Sequence, residues 1–116
     1  MVGVVEFDKL KDLQSFVMEH EKVIVSVRPR GGCPICERYA PVFKESLPLI
    51  FEKFPDVRIA ILWYGEDDEC LKSLNVCSPT LIFYENGKEV DRVIVESVPV
   101  TEFKEKILEK IEKYFK

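Results

Sequence analysis

The chain has 116 residues, 47% of them hydrophobic and 33% charged, with a formal net charge of −4. That length fits one domain around one core, spanning residues 1–116, and the apolar share argues against disorder. No apolar run approaches the roughly 18 residues of a membrane span, and scattered Lys and Arg under a net acidic charge argue against nucleic acid or an anionic membrane as main partner.

In chain order, the N-terminal segment has no basic stretch and meets acid at Glu6 and Asp8, so it is not read as a signal peptide and a cytoplasmic location is expected. Val2 to Phe7 reads as a short strand. Asp8 is placed to cap a helix in which Leu10, Leu13, Phe16 and Val17 recur at helical spacing, ending near His20. His20, the one histidine, falls where a positive charge suits a helix C-terminus. Val23 to Val27 is β-branched and reads as a buried strand; Arg28-Pro29-Arg30-Gly31-Gly32 reads as a loop.

A long helix is expected from Cys33 or Pro34 to about Lys53, with Val42, Phe43, Leu47, Ile50, Phe51 and Phe54 on its apolar face. Pro41 and Pro48 lie inside it and predict a kink or a break. Val57 to Tyr64 is the next buried strand; Trp63 and Tyr64 at its end can face the site, with a core or rim role favoured. Glu66 to Leu74 reads as a short helix with an acidic, solvated start that lacks the ligand spacing of a calcium loop. Thr80 to Tyr84 is a strand, Asn86-Gly87 a type I′ turn, and Val90 to Val95 the returning strand. Thr101 is expected to cap a last helix bearing Phe103, Ile107, Leu108, Ile111 and Phe115 on one face. The order βαβαβαββα predicts an α/β fold with a mixed sheet: early strands parallel, the closing hairpin antiparallel at one edge.

Cys33-Pro34-Ile35-Cys36 falls where a strand has ended and a helix begins. Residues three apart share a helix face, so the two sulfurs can meet. The free N–H groups and positive dipole end of a helix start stabilise a thiolate. Pro34 occupies the first helical position, where its missing N–H costs nothing. Arg28 and Arg30 in the preceding loop add positive potential. Cys33 is thereby the candidate nucleophile and Cys36 the resolving thiol. A zinc pair needs two more ligands, and Cys70 and Cys77 lack the usual tight spacing.

The chain resembles the thioredoxin superfamily. The resemblance rests on Cys33-Pro34-Ile35-Cys36, Pro41, Ser78-Pro79-Thr80-Leu81-Ile82-Phe83, Glu85-Asn86-Gly87-Lys88 and the amphipathic C-terminal helix. It implies a three-layer fold with helices flanking a mixed central sheet. It also implies a cis Pro79 against the cysteine pair, Ser78 presenting backbone groups to a substrate strand, and Pro34 and Ile35 supporting the motif. The implied activity is thiol–disulfide exchange on protein substrates by a monomer, in cell redox homeostasis and electron transport, with recycling by an upstream reductase and no cofactor beyond the Cys33–Cys36 disulfide. Departures are clear. Gly31-Gly32 replace the tryptophan that precedes the motif in thioredoxins proper, and proline directly after the first cysteine resembles glutaredoxins. Where the family carries a buried acid, Val27 stands here, with Ser26 the nearest polar residue.

Cys70 and Cys77 have three readings: free core residues, a structural disulfide, or Cys77 approaching Cys33 to take part in chemistry. The favoured reading has Cys70 packed in the core and Cys77 near the active-site loop, without a bond in the reduced protein. Abundant Lys and Glu, with Gln14, Asn75 and Asn86 as the only amides, match a hyperthermophile composition, the setting in which cytosolic structural disulfides occur. Alternatives to the protein-disulfide reading are a glutaredoxin-like protein using a small thiol, a cysteine-ligated metal or iron–sulfur module, and an interaction domain without redox chemistry.

Overall fold

Alternation along two β-branched runs builds the centre of the molecule. In β2 (Lys22–Pro29), Val23, Val25 and Val27 face one side and Ile24, Ser26 and Arg28 the other; β3 (Val57–Tyr64) lies parallel beside it, Ile24 level with Ile59 and Arg28 level with Trp63. This computed structural model describes residues 3–65 and 70–115. β1 (Val5–Phe7) joins the far side of β3 in parallel, and β4 (Thr80–Glu85) and β5 (Lys88–Ile94) continue antiparallel from β2, giving the sheet order β1-β3-β2-β4-β5. Asn86 and Gly87 both have positive φ, 53° and 82°, as a type I′ turn requires.

Both sheet faces are covered. Helix α1 (Leu10–Glu19) closes one, where Leu13 and Val17 pack on Val23, Val25, Val27, Ala60 and Leu62. Helices α2 (Pro34–Lys53) and α3 (Phe103–Tyr114) close the other, packing Phe43, Ile50, Phe103, Ile107 and Ile111 on Ile24, Ile59, Leu81 and Phe83. These side chains leave water almost completely, and at about 25 cal/mol per Å2 of apolar surface their burial is the main stabilising contribution. The three-layer arrangement and the parallel-then-antiparallel pairing are those expected.

Several local expectations are corrected. The first strand is confined to Val5–Phe7 among the described residues. Asp8 does not cap α1: Lys9 holds that position without a side-chain bond, and the Asp8 carboxylate pairs with Arg30. Helix α2 runs unbroken through Pro41 and Pro48 because both prolines, and the residues Glu37 and Lys44 whose carbonyls they leave unbonded, sit on the exposed face, where water can replace the lost bonds. Thr101 lies in a 3-10 turn, Val100–Glu102, and caps nothing, since α3 starts two residues later. Of the helix expected over Glu66–Leu74, Glu66–Glu69 lie outside the described residues. The remainder is not α-helical: Leu71 pairs with Val76 as an antiparallel bridge around a 3-10 turn, Lys72–Leu74, with Asn75 in the left-handed conformation.

Candidate active site

The strand-to-helix turn is built by two glycines. β2 ends at Pro29, and the Arg30 N–H donates to the Tyr64 carbonyl at 3.1 Å, holding the chain beside the end of β3. Gly31 and Gly32 follow with φ of 78° and 98°, values that L side chains rarely adopt, and so aim the chain into α2. Cys33 is the N-cap of that helix, with φ −151° and ψ 96°, and Pro34 is its first residue, exposed. The Cys36 N–H donates to Cys33 Sγ at 3.0 Å, and the Glu37 N–H to the Cys33 carbonyl at 2.9 Å. Cys33 and Cys36 are joined in a disulfide with their Cα atoms 5.1 Å apart, both half-buried. Ile35 is half-buried and packs into the core on the α2–α3 side.

Beneath Cys36 lies a cavity of about 20 Å3, room for a single water. Ser26, Arg28, Tyr39, Phe43 and Pro79 line it together with Cys36. Ser26 Oγ accepts from Arg28 Nε at 2.9 Å. The Arg28 guanidinium carbon stands 5.6 Å from the Phe43 ring centre and 5.7 Å from that of Trp63, a cation held over two aromatic faces. Burial pulls its pKa below the ordinary arginine value, with the Glu6 carboxylate opposing. Trp63 Nε1 donates to Glu6 Oε1 at 2.8 Å. Arg28 is thus part of β2 and reaches into the site, whereas Arg30 is engaged by Asp8.

Pro79 is buried and lines the Cys36 cavity, as the resemblance implies, but the Ser78–Pro79 bond is trans, as are all described peptide bonds. The expectation of a cis Pro79 is therefore corrected. Trans is the lower-energy form of an X–Pro bond by about 0.5–1 kcal/mol. Here the chain enters β4 with the Ser78 carbonyl bonded by the Thr80 hydroxyl at 2.9 Å and the Pro79 carbonyl by the Val95 N–H at 3.0 Å.

The expected place of Cys77 near the active-site loop is corrected too. Cys70 and Cys77 form a disulfide, Cα atoms 4.0 Å apart. The Leu71–Val76 bridge sets their flanking residues opposite each other, so the chain reversal that leads into Pro79 carries Cys77 back to Cys70 and not to Cys33. Among the described residues, no group of three or more His, Cys, Asp or Glu side chains is gathered in one place. His20 caps the C-terminal end of α1 with its ring centre 4.5 Å from that of Phe16.

Sequence reasoning placed Ser26 near the site but put Arg28 in a loop and did not single out Tyr39. The usable signal was the period of two in β2, which sets Ile24, Ser26 and Arg28 on one face. Tyr39 lies three residues beyond Cys36 on the same helix face, and its hydroxyl donates to the Val98 carbonyl.

No family model matches the chain. It is 30% identical to thioredoxin H5 of Oryza sativa subsp. japonica over 79 residues, which are 67% of this chain and 56% of the rice protein. The aligned part thus spans little more than half of that relative. Among solved structures, thioredoxin O2 of Arabidopsis thaliana in the oxidised state superposes with a TM-score of 0.70 at 18% identity, covering 97% of this chain and 95% of that one. Oxidised thioredoxin of Plasmodium falciparum gives 0.70 at 24% identity over 97% and 98%. A chain from the complex of ferredoxin:thioredoxin reductase with thioredoxin f2 gives 0.69 at 24% identity over 95% and 93%.

Proposed function

Because the chain belongs to the thioredoxin superfamily, we propose that it is a thiol–disulfide oxidoreductase that exchanges disulfides of protein substrates through Cys33 and Cys36. The observation that carries this reading is Cys33 at the N-cap of α2 with its sulfur already accepting the Cys36 N–H. A sulfur so placed is stabilised as a thiolate by that N–H and by the positive end of the helix.

In the reductive direction, the Cys33 thiolate attacks a substrate disulfide, forming a mixed disulfide and releasing one substrate sulfur as thiolate. The Cys36 thiolate then attacks Cys33 Sγ. The Cys33–Cys36 bond forms, the bond from Cys33 to the substrate breaks, and the second substrate sulfur leaves with the electron pair. The substrate gains two electrons and the protein ends in the oxidised state. Buried Pro79 and half-buried Ser78 form the edge against which the substrate strand lies. The chemistry needs no organic cofactor. Recycling requires a dithiol or electron donor, and the likeness to a thioredoxin solved with its reductase supports an upstream reductase as partner. In a cytoplasmic protein, the Lys/Glu-rich composition together with the second disulfide supports a thermophile.

The test is a pair of variants assayed for reduction of insulin disulfides. Cys36→Ser should accumulate a mixed disulfide through Cys33, visible as an adduct by mass spectrometry, and Cys33→Ser should lose activity. Undiminished insulin reduction by Cys33→Ser would remove the reading.

A further inference from the structure

The resolving step needs Cys36 as a thiolate, yet among the described residues no carboxylate lines the cavity beneath it. What lines it is a cation. β2 contributes Ser26 and Arg28, and α2 contributes Cys36 itself and Tyr39, whose hydroxyl is committed to the Val98 carbonyl. Pro79, Leu81, Val95 and Phe103, brought by the loop before β4, by β4, by the turn after β5 and by α3, carry no titratable group. Glu6, on β1, accepts from the Trp63 indole N–H, and its charge also acts on Arg28.

We propose that Arg28 and Ser26 form a cationic seat for the Cys36 sulfur, which stabilises the Cys36 thiolate as it attacks Cys33. The inference rests on the oxidoreductase reading for its use, but the seat itself is a property of the fold. Arg28 is rigidly placed: its guanidinium stacks on Phe43 and Trp63, and its Nε is fixed on Ser26 Oγ. An arginine keeps its proton at any working pH, so the charge is permanent. Ser26 is buried, and because its oxygen accepts from Arg28, its own proton is free to turn into the cavity that Cys36 lines. A hydroxyl proton and a fixed positive charge both favour a sulfur anion over a neutral thiol.

The proton balance follows. Cys36 releases its proton to water in the cavity and thence to solvent. The sulfur anion, held by the Ser26 hydroxyl and the Arg28 charge, attacks Cys33 Sγ; when the new bond forms, the negative charge has moved to the departing substrate sulfur. Arg28 and Ser26 stay unchanged and are positioning residues.

The experiment titrates Cys36 in the reduced Cys33→Ser protein, so that one thiol of the pair titrates, following the 13Cβ shift of Cys36 against pH. Adding Arg28→Met should raise the Cys36 midpoint by about one unit, the low end of what loss of a neighbouring opposite charge does. Arg28→Lys, which keeps the charge, should recover most of that shift, and Ser26→Ala should raise the midpoint by less. In the active protein, the acid limb of the rate of mixed-disulfide resolution should move up with Arg28→Met in the same direction. An unmoved midpoint in folded Arg28→Met, or an equal rise in Arg28→Lys, overturns the proposal. If Arg28→Met does not fold, Ser26→Ala decides, and a midpoint equal to the parent's overturns it. The parent protein's insulin reduction separates the two ideas. A parent without activity whose Cys36 midpoint follows Arg28 sinks the oxidoreductase reading and leaves the seat, and normal activity with an unmoved midpoint does the reverse.

Discussion

Two disulfides stand in this chain with the same bond and opposite surroundings. Cys33–Cys36 opens a helix of 20 residues, accepts a backbone N–H on one sulfur, and shares a cavity with a half-buried guanidinium. Cys70–Cys77 closes a small reversal whose backbone is already paired, the Leu71 N–H on the Val76 carbonyl at 2.6 Å and the Val76 N–H on the Leu71 carbonyl at 3.1 Å. Exchange rate depends on how well the attacking and leaving sulfurs bear negative charge. Among the described residues, only the first pair has groups arranged for that, so sequence spacing alone, three against seven, is not what separates a reactive pair from a staple.

The sharpest way to break that comparison is to remove each pair in turn. Cys33→Ser should abolish insulin reduction, whereas Cys70→Ser/Cys77→Ser should keep it within about threefold, because no step of thiolate attack passes through the second pair. Loss of activity in the folded double variant would make the second pair part of the chemistry. A smaller effect is expected in the order of labelling. In the fully reduced protein near pH 6, iodoacetamide should label Cys33 before Cys36, Cys70 or Cys77. A thiol with a lowered pKa holds more thiolate at acid pH, so its lead should shrink as pH rises through the ordinary thiol value of about 8.5. Peptide mapping that finds Cys77 first would show that its exposure outweighs the helix start.

These two regions also differ in how far the sequence disclosed them. Around Cys33 the signals are local and agree: a β-branched strand, two glycines, a proline at the first helical position and apolar spacing over the helix. The trans state of Ser78–Pro79 was not legible, because the resemblance, not the residues, suggested cis. Around Cys70 the pattern misled. Leu71 and Leu74 have helical spacing, but Asn75 takes φ 55° and turns the chain back, a backbone choice decided by the packing of Leu71, Leu74 and Val76 under α1. The Arg28 contribution needed the strand to extend past its β-branched core, through Pro29, which a breaker such as proline argues against.

The staple should show itself in stability more than in rate. Closing a loop of this length removes unfolded-state entropy equivalent to roughly 2–3 kcal/mol in the chain-entropy model. Cys70→Ser/Cys77→Ser should therefore lower unfolding free energy by about that amount in denaturant titrations of the oxidised protein. A loss under about 0.5 kcal/mol would mean that the bond adds little to a reversal already fixed by other contacts.

The smallest expected effect tests whether those other contacts suffice. Asn75 holds a left-handed conformation, and its carbonyl accepts from Arg92 Nη1 at 3.1 Å, tying the reversal to β5. Asn75→Ala leaves that carbonyl in place but sets a Cβ-bearing residue without a locally bonding side chain in the left-handed region, at a cost of about 1 kcal/mol. Asn75→Gly should cost less, since glycine adopts that region freely. The informative measurement is Asn75→Ala made both in the parent and in Cys70→Ser/Cys77→Ser, as a double-mutant cycle. Leu71, Leu74 and Val76 are packed beneath α1, and Arg92 grips the turn, so the reversal has anchors besides the bond. The cost of about 1 kcal/mol should accordingly appear in both backgrounds. A cost that vanishes without the disulfide would show that the turn opens when the bond is gone, with Asn75 leaving the left-handed region. The second pair would then hold the chain leading to Pro79, and the separation between staple and reactive site would fail at Pro79.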